Sequence, residues 1–184
     1  LATVRAVIRS YVMEIDSLHK VNASLAQENT RVKGQYEAAT RQIEGLSTEK
    51  RSLSEKVAIA AQLDATGIAL VAKNKRGKST DQIDKATTLQ VSFNITRNVT
   101  AASGVKDIYV RIMSPTGSLL NGAGSFSYEN RTLQYSMKRS VEYNGEETPV
   151  TLFWNVSQAL VAGTYQVSIF ADGNMIGSRS FAFK

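Results

Sequence analysis

The chain has 184 residues, with 22 Lys/Arg against 16 Asp/Glu for a formal net charge of +6, one His and no Cys. The lack of Cys excludes a disulfide framework and thiol chemistry, and a single His without Cys leaves a zinc site of the usual types without its ligands. Residues 1–64 hold no Pro, two Gly and no aromatic beyond Tyr11 and Tyr36, whereas residues 65–184 hold both Pro, ten of the twelve Gly, the single Trp and all six Phe.

That contrast predicts a helical segment over 1–64 and a strand-rich domain over 65–184 long enough for one ordinary core. Counting by sevens from Leu1 puts Leu1, Ile8, Ile15, Asn22, Asn29, Tyr36, Ile43, Lys50 and Val57 at position a. Position d then holds Val4, Tyr11, Leu18, Leu25, Val32, Ala39, Leu46, Leu53 and Ala60. Only Asn22, Asn29 and Lys50 break the apolar seam, and the phase holds through nine heptads. Such a repeat predicts a left-handed coiled coil ~90 Å long at ~1.5 Å per residue.

The exceptions choose the oligomer. Ile at a with Leu at d favours two parallel strands, and Asn at a pairs with its own mate and fixes register. Flanking charges agree: Glu14 and Glu28 at g face His19 and Lys33 at e of a parallel partner. The expectation is a parallel homodimer, held by Ile8, Ile15, Leu18, Asn22, Leu25, Asn29, Val32, Ile43, Leu46, Leu53 and Val57. Val7 and Val21 at g and Val12 at e widen the stripe near its start, which leaves a tetramer open as the alternative. The chain opens at Leu1, without a start methionine and already inside the helical pattern, so a preceding signal or membrane anchor is expected.

Asp64-Ala-Thr-Gly67 reads as the helix stop, with Gly67 at C′. Beyond it the apolar period becomes two. Ile68 and Leu70 open a first strand that runs into the basic stretch Lys73-Asn74-Lys75-Arg76-Gly77-Lys78. Leu89 to Ile95 and Ile108 to Ile112 alternate in two more, and Ser114-Pro115-Thr116-Gly117 turns the chain. Residues 119–132 read as loop plus a short strand, and Leu133 to Tyr143 as one strand before the Asn144-Gly145 turn. Val150, Leu152 and Trp154 alternate next, with Trp154 read as core. Tyr165, Val167 and Ile169 are followed by an Asp172-Gly173 type I′ turn and a final strand from Met175 to Phe183. Gly163-Thr-Tyr165 has the pattern of a tyrosine corner. Some seven strands with no helix between them predict an antiparallel β-sandwich of immunoglobulin-like type. The expected fold is thus α+β in segregated parts: a parallel coiled-coil helix over 1–64 and the sandwich over 65–184.

Three stretches carry a resemblance: Asp107-Ile-Tyr-Val-Arg-Ile-Met-Ser-Pro-Thr-Gly117, Val150-Thr-Leu-Phe-Trp154, and Gly163-Thr-Tyr-Gln-Val-Ser-Ile-Phe-Ala-Asp-Gly173. Together they resemble a C-terminal module of uncharacterised exported coiled-coil proteins of Gram-negative gut bacteria. The resemblance implies a membrane segment, a coiled coil and this domain in the periplasm or cell envelope. It transfers no catalytic or binding residue.

No catalytic, cofactor or metal site is expected. His19 flanks the helical seam, Gly117 to Gly124 lacks the Lys-Ser/Thr of a phosphate loop, and Glu146-Glu147 follows a turn. Asn22, Asn94, Asn98, Asn130 and Asn155 sit in Asn-x-Ser/Thr triplets, but Asn22 in the seam argues that these are Asn beside Ser/Thr in strands. The leading expectation is a non-enzymatic envelope protein whose dimeric coiled coil presents paired sandwich domains to a protein or glycan. The alternative is nucleic-acid binding through an anion site at Lys73, Lys75, Arg76 and Lys78.

Overall fold

The computed structural model describes residues 2–120, 122 and 124–184, so Leu1, the first a position, lies outside the described residues. The chain divides into two compact units, Leu1–Glu55 and Lys56–Lys184. One helix, α1 (Ala2–Ala60), fills the first and ends in the second, and none of its residues is buried. Thr30, Thr40 and Thr48 donate their hydroxyls to the carbonyls of Ala26, Tyr36 and Glu44, each at 2.9 Å. The hydroxyls are thereby satisfied along the helix and do not compete for its backbone.

The end of α1 departs from expectation. Ala61 N still donates to Val57 O at 2.9 Å, and Gln62 N reaches Ile59 O at 3.2 Å in a tightened last turn. The open carbonyls of Ala60 and Gln62 are then taken by Asn98 Nδ2 at 2.9 and 3.0 Å. Gly67 is not the C′ residue. It has the left-handed φ of +64° that the reading required, but it lies inside β1 (Ala65–Lys73). There the register against β2 (Thr88–Ile95) shifts between Thr66 and Ala69, so its freedom serves a bulge. A side-chain cap from a distant loop makes a glycine stop unnecessary.

The second unit is otherwise strands: β3 (Gly104–Met113), β4 (Gly124–Tyr128), β5 (Arg131–Tyr135), β6 (Met137–Tyr143), β7 (Thr148–Asn155), β8 (Gly163–Ala171) and β9 (Asn174–Phe183). All described pairings are antiparallel. The sheet orders are β1-β2-β7 and β6-β3-β8-β9, with β4-β5 a separate hairpin. The expected alternations hold in β2, β3, β7 and β8. Leu89, Val91, Ile95, Ile108, Val110, Ile112, Tyr165, Val167 and Ile169 are each fully buried in one cluster with Val150, Leu152 and Trp154. Each such side chain contributes roughly 1.5–3 kcal/mol relative to exposure. Trp154 is 7% exposed within that core, as expected.

The expectations of no helix between the strands and of a single strand over 133–143 are corrected. A 3₁₀ turn (Ile83–Lys85) stands between β1 and β2, with Ile83 buried as its anchor. The single strand expected over 133–143 is two, belonging to different sheets. Ser136 is the break. It is 3% exposed, its N–H donates to Val110 O at 2.9 Å, and its hydroxyl donates to Leu120 O at 2.8 Å and accepts from Ile112 N at 3.1 Å. A side-chain oxygen thus takes the place of a ladder carbonyl, and the chain leaves β3 without leaving Ile112 N–H unpaired.

β4 and β5 turn through Glu129 (φ 44°) and Asn130 (φ 60°), the paired left-handed conformations of a type I′ turn. Their hairpin is pinned by aromatics on the opposite side of β3 from Ile108 and Val110. Tyr109 stacks on Phe126 at 4.6 Å, and Phe126 meets Phe170 at 5.1 Å. The expected tyrosine corner is formed: the Tyr165 hydroxyl donates to Val161 O at 2.8 Å and accepts from Val161 N at 3.1 Å. Burial pushes that phenol's pKa up, partly offset by the Val161 bond.

Candidate functional site

Two surfaces were expected to carry function, and each can be placed residue by residue. On α1, Ile8, Ile15, Leu18, Leu25, Val32, Ile43, Leu46, Leu53 and Val57 form one seam, from 47% exposed at Val32 to 66% at Ile43. Asn22 and Asn29 lie on the same stripe and are exposed. Glu28, expected to face Lys33 of a partner, accepts in the single chain from Arg31 Nε of its own helix at 2.8 Å. That guanidinium holds the Glu28 carboxyl below its ordinary pKa, a solvent-exposed effect that leaves the seam itself untouched.

The basic run occupies the connection after β1. The chain enters β1 at Ala65, opposite Ile95, and Lys73 is delivered to the other end of the sheet, opposite Thr88. Asn74 then organises the turn. Its N–H donates to Lys78 O at 2.9 Å, its O accepts from Gly77 N at 2.8 Å, and its Oδ1 accepts from Arg76 N at 2.9 Å and Lys78 N at 3.2 Å. Gly77 permits the turn with φ +73°. Side-chain and backbone bonds of one asparagine therefore fix the loop that displays the cations.

The four expected cations do not all line one cleft. Lys75 and Arg76 line an open cleft of about 550 Å³ together with Asp84, Lys85 and Thr87. Lys73 instead sits over the exposed Phe153 ring, 5.7 Å from its centroid, and Lys78 is not among the lining residues. Lys85 and Asp84 were missed by the sequence reading. They come from the 3₁₀ turn, whose approach to the loop no local pattern reveals. Lys85 Nζ is held by Gln82 Oε1.

Pairing separates this loop from six other cations of the domain. Arg97 pairs with Glu146 at 3.4 Å, Lys106 with Asp172 at 2.6 Å, Arg131 with Glu129 at 3.5 Å and Lys138 with Asp107 at 2.8 Å. Arg139 and Arg179 donate to the carbonyls of Thr151 and Ile68. Among the described residues, Lys75, Arg76 and Lys78 have no carboxylate within 4.0 Å. Residues 73–87 carry five Lys/Arg (73, 75, 76, 78, 85) against Asp81 and Asp84, a local charge of +3.

A second cleft, of about 290 Å³, is lined by Asp107, Tyr109, Phe126, Phe170 and Asp172. Its aromatics resemble a stacking platform, yet Phe126 and Phe170 are buried and the rings face one another. Lys138 covers Tyr109 at 5.3 Å. Both carboxylates are engaged, Asp107 with Lys138 and Ser140 and Asp172 with Lys106. The cluster holds the β4–β5 hairpin down.

Three of the five Asn-x-Ser/Thr asparagines have local structural roles, and not all five lie in strands. Asn94 Nδ2 donates to Glu147 at 2.7 Å from β2, whereas Asn98 Oδ1 accepts from Thr100 N at 2.9 Å in an Asx turn. Asn130 sits in the β4–β5 turn with its left-handed φ. Among the described residues no group of three His, Cys, Asp or Glu is placed to hold a metal ion, and no helix is long and apolar enough to cross a membrane.

Comparison with known proteins gives two family matches. The family described as Domain of unknown function (DUF8428) matches residues 65–184, and the one described as Coiled-coil region of unknown function (DUF8429) matches residues 1–51. No curated protein matches. Among solved structures, the chain is similar to the Pseudomonas fluorescens alkylpurine DNA glycosylase AlkC bound to DNA containing an abasic site analog. That match has 13% identity and a TM-score of 0.37, over 66% of this chain and 30% of that one. It is also similar to the Kluyveromyces marxianus beta-glucosidase, at 16% identity and a TM-score of 0.35, over 64% of this chain and 15% of that one. The chain thus spans less than a third of either protein, and similarity of this degree carries no argument about activity.

Proposed function

The chain belongs to the family of the Domain of unknown function (DUF8428), and from that premise we propose a non-enzymatic interaction protein of the cell envelope, a parallel coiled-coil homodimer that presents paired β domains. The observation that carries this reading is the exposed seam of α1. A helix of 59 residues with Ile8, Ile15, Leu18, Leu25, Leu46 and Leu53 all more than half exposed leaves its apolar edge in water. Tertiary burial is what ordinarily stabilises a helix, and a second copy offers the same stripe in the same register. The match of residues 1–51 to a coiled-coil region supports the pairing.

In this reading the β domain is an immunoglobulin-like sandwich. Its support is a three-stranded and a four-stranded antiparallel sheet sharing one buried cluster, with a Tyr165 corner and a core Trp154. The envelope location, an anchor preceding the helix and a protein or glycan partner extend the reading from the resemblance to exported coiled-coil proteins. Its non-enzymatic character is supported by the placement of His19 on the exposed helix and of Glu146 and Glu147 at an exposed turn.

Sedimentation equilibrium of the full chain tests the dimer, with an expected mass twice the 20.1 kDa of one chain. Leu25→Cys then tests orientation: a parallel in-register pair forms a disulfide between identical residues on oxidation. A monomer mass, or a dimer that fails to cross-link at this position, defeats the proposal.

A further inference from the structure

We propose that the cleft formed by Lys75, Arg76 and Lys85 with Asp84 binds an anionic saccharide, which deepens the display reading by naming the class of its partner. Three observations converge. Lys75 and Arg76 stand on a turn fixed by Asn74 and have no carboxylate partner among the described residues, unlike Lys106, Lys138, Arg97 and Arg131. Lys85 joins them from the 3₁₀ turn, so the positive charge comes from two chain segments around a concavity of about 550 Å³. The loop lies at the end of the domain opposite Ala65, where β1 receives the chain from the helix.

Asp84 decides the class of ligand. A carboxylate inside the cleft disfavours a continuous row of phosphates, but it accepts hydrogen bonds from hydroxyl groups. A scaffold carrying both hydroxyls and spaced negative charges satisfies Asp84 and the three cations together. Thr87 lines the same cleft. No aromatic residue lines this cleft, so bases would find no ring on which to stack. The saccharide's charge can be carboxylate or phosphate; the cations serve either.

The full chain is titrated with polygalacturonate, phosphomannan, neutral dextran and a single-stranded thymidine oligonucleotide at low salt. Binding of either charged glycan, with no dextran binding, is expected. Lys75→Gln/Arg76→Gln/Lys85→Gln weakens it at least about tenfold and flattens its salt dependence, while Lys56→Gln on the helix leaves it unchanged. Asp84→Asn weakens glycan binding several-fold and tightens the oligonucleotide, since it exchanges one charged acceptor oxygen for an amide donor and removes the negative charge. Circular dichroism confirms that each variant is folded. No charged-glycan binding, equal binding by the triple variant, oligonucleotide binding as tight as glycan, or glycan binding improved by Asp84→Asn each overturns the inference. Sedimentation velocity on the same samples reads the oligomer separately. A monomer that binds a short oligogalacturonate would keep this site and defeat the display reading; a dimer that binds no glycan would do the reverse.

Discussion

The guanidinium of Arg179 in β9 donates to the main-chain carbonyl of Ile68 in β1 at 3.1 Å, joining the edge strands of the two sheets. The other pair of edges is joined in the same manner, by Arg139 of β6 on Thr151 O of β7. An edge strand exposes carbonyls that invite pairing with another chain, and a cation on the carbonyl is one way to occupy them. Gly177, two residues before Arg179, makes the approach of β9 to β1 feasible. A Cβ there would lie 2.8 Å from Ile68 Cδ1 and 3.2 Å from Ala65 O.

That seam gives the first prediction. Gly177→Ala destabilises the domain by about 1–3 kcal/mol through overpacking. Ile68→Val alone costs roughly 0.5–1.5 kcal/mol but removes the clashing methyl. The double variant is therefore less destabilised than the sum of the singles. Denaturant unfolding of all four proteins measures the coupling, and strict additivity would show that the close approach is not what Gly177 serves.

Gly163 carries a harsher constraint. Its φ is +140°, and a Cβ would sit 2.7 Å from both Cβ and Cγ of Pro115. The ring cannot move aside as a flexible side chain can. Gly163→Ala is expected to cost more than about 2 kcal/mol, from backbone strain and clash together. Thermal unfolding tests it, and a change below about half a kcal/mol would contradict the close approach.

Much of this fold was readable in the residues, and the failures share one cause. Alternation in Leu89 to Ile95 and Ile108 to Ile112 located β2 and β3, because burial on one face leaves a period of two. Asp172-Gly173 located its turn because left-handed backbone is chemically marked, with φ 49° and 75° there. Gly67 was equally marked, but the mark records a conformation and not the element that uses it. Ser136 carries no mark: its role depends on Ile112 and Leu120, far along the chain. The same holds for the cleft. Lys75 and Arg76 stood out as a run, whereas Asp84 and Lys85 join them only through folding.

Asn98 supplies the third prediction. Its Nδ2 donates to Ala60 O and Gln62 O, and its Oδ1 accepts from Thr100 N and Ala101 N at 2.9 and 3.1 Å. Asn98→Ala removes all four bonds and is expected to cost about 2–3 kcal/mol. Asn98→Asp keeps the acceptor but faces a negative charge to the carbonyls at a helix C-terminus, where the dipole is also unfavourable. The Asp variant is therefore expected to be nearly as unstable as the Ala variant at neutral pH. Near-wild-type stability of Asn98→Asp in urea unfolding would mean that the carbonyl bonds contribute little.

Asp107 makes stability depend on acidity. Its carboxyl is held below the ordinary value of 3.8 first by the bond from Lys138 and then by that from Ser140. A depressed carboxyl stabilises the folded state above its unfolded pKa, and the contribution is lost as pH falls through the folded pKa. The partner works in the opposite sense. Lys138 is raised above 10.5, so its contribution is present below that pH and lost as the solution becomes more alkaline. Asp107→Asn should therefore lose stability at neutral pH and show a shallower decline below about pH 4. Melting temperatures of both proteins from neutral to acid pH measure this, and parallel curves would exclude the pair as a source of the dependence.

The seam of α1 allows the sharpest separation of stability from specificity. Asn22 and Asn29 stand at consecutive a positions among Ile15, Leu18, Leu25 and Val32, every one of them exposed in the single chain. In the proposed parallel pair each amide meets its own mate, satisfying a polar group that would otherwise be buried alone, at a cost in stability relative to Ile. A one-heptad shift would pair Asn22 with Asn29 once but set the other two amides against Ile15 and Tyr36, and an antiparallel pair would bring the amides together only if it crossed beside them. Asn22→Ile/Asn29→Ile is thus expected to raise the melting temperature of the helix while relaxing what is paired with what. With Leu25→Cys as reporter, the wild-type seam gives one cross-linked dimer, whereas the Ile variant gives a lower in-register yield together with trimers or tetramers in sedimentation. A variant that gains stability and keeps the same single cross-linked dimer would show that register is set elsewhere, by the flanking charges or by the domains that follow.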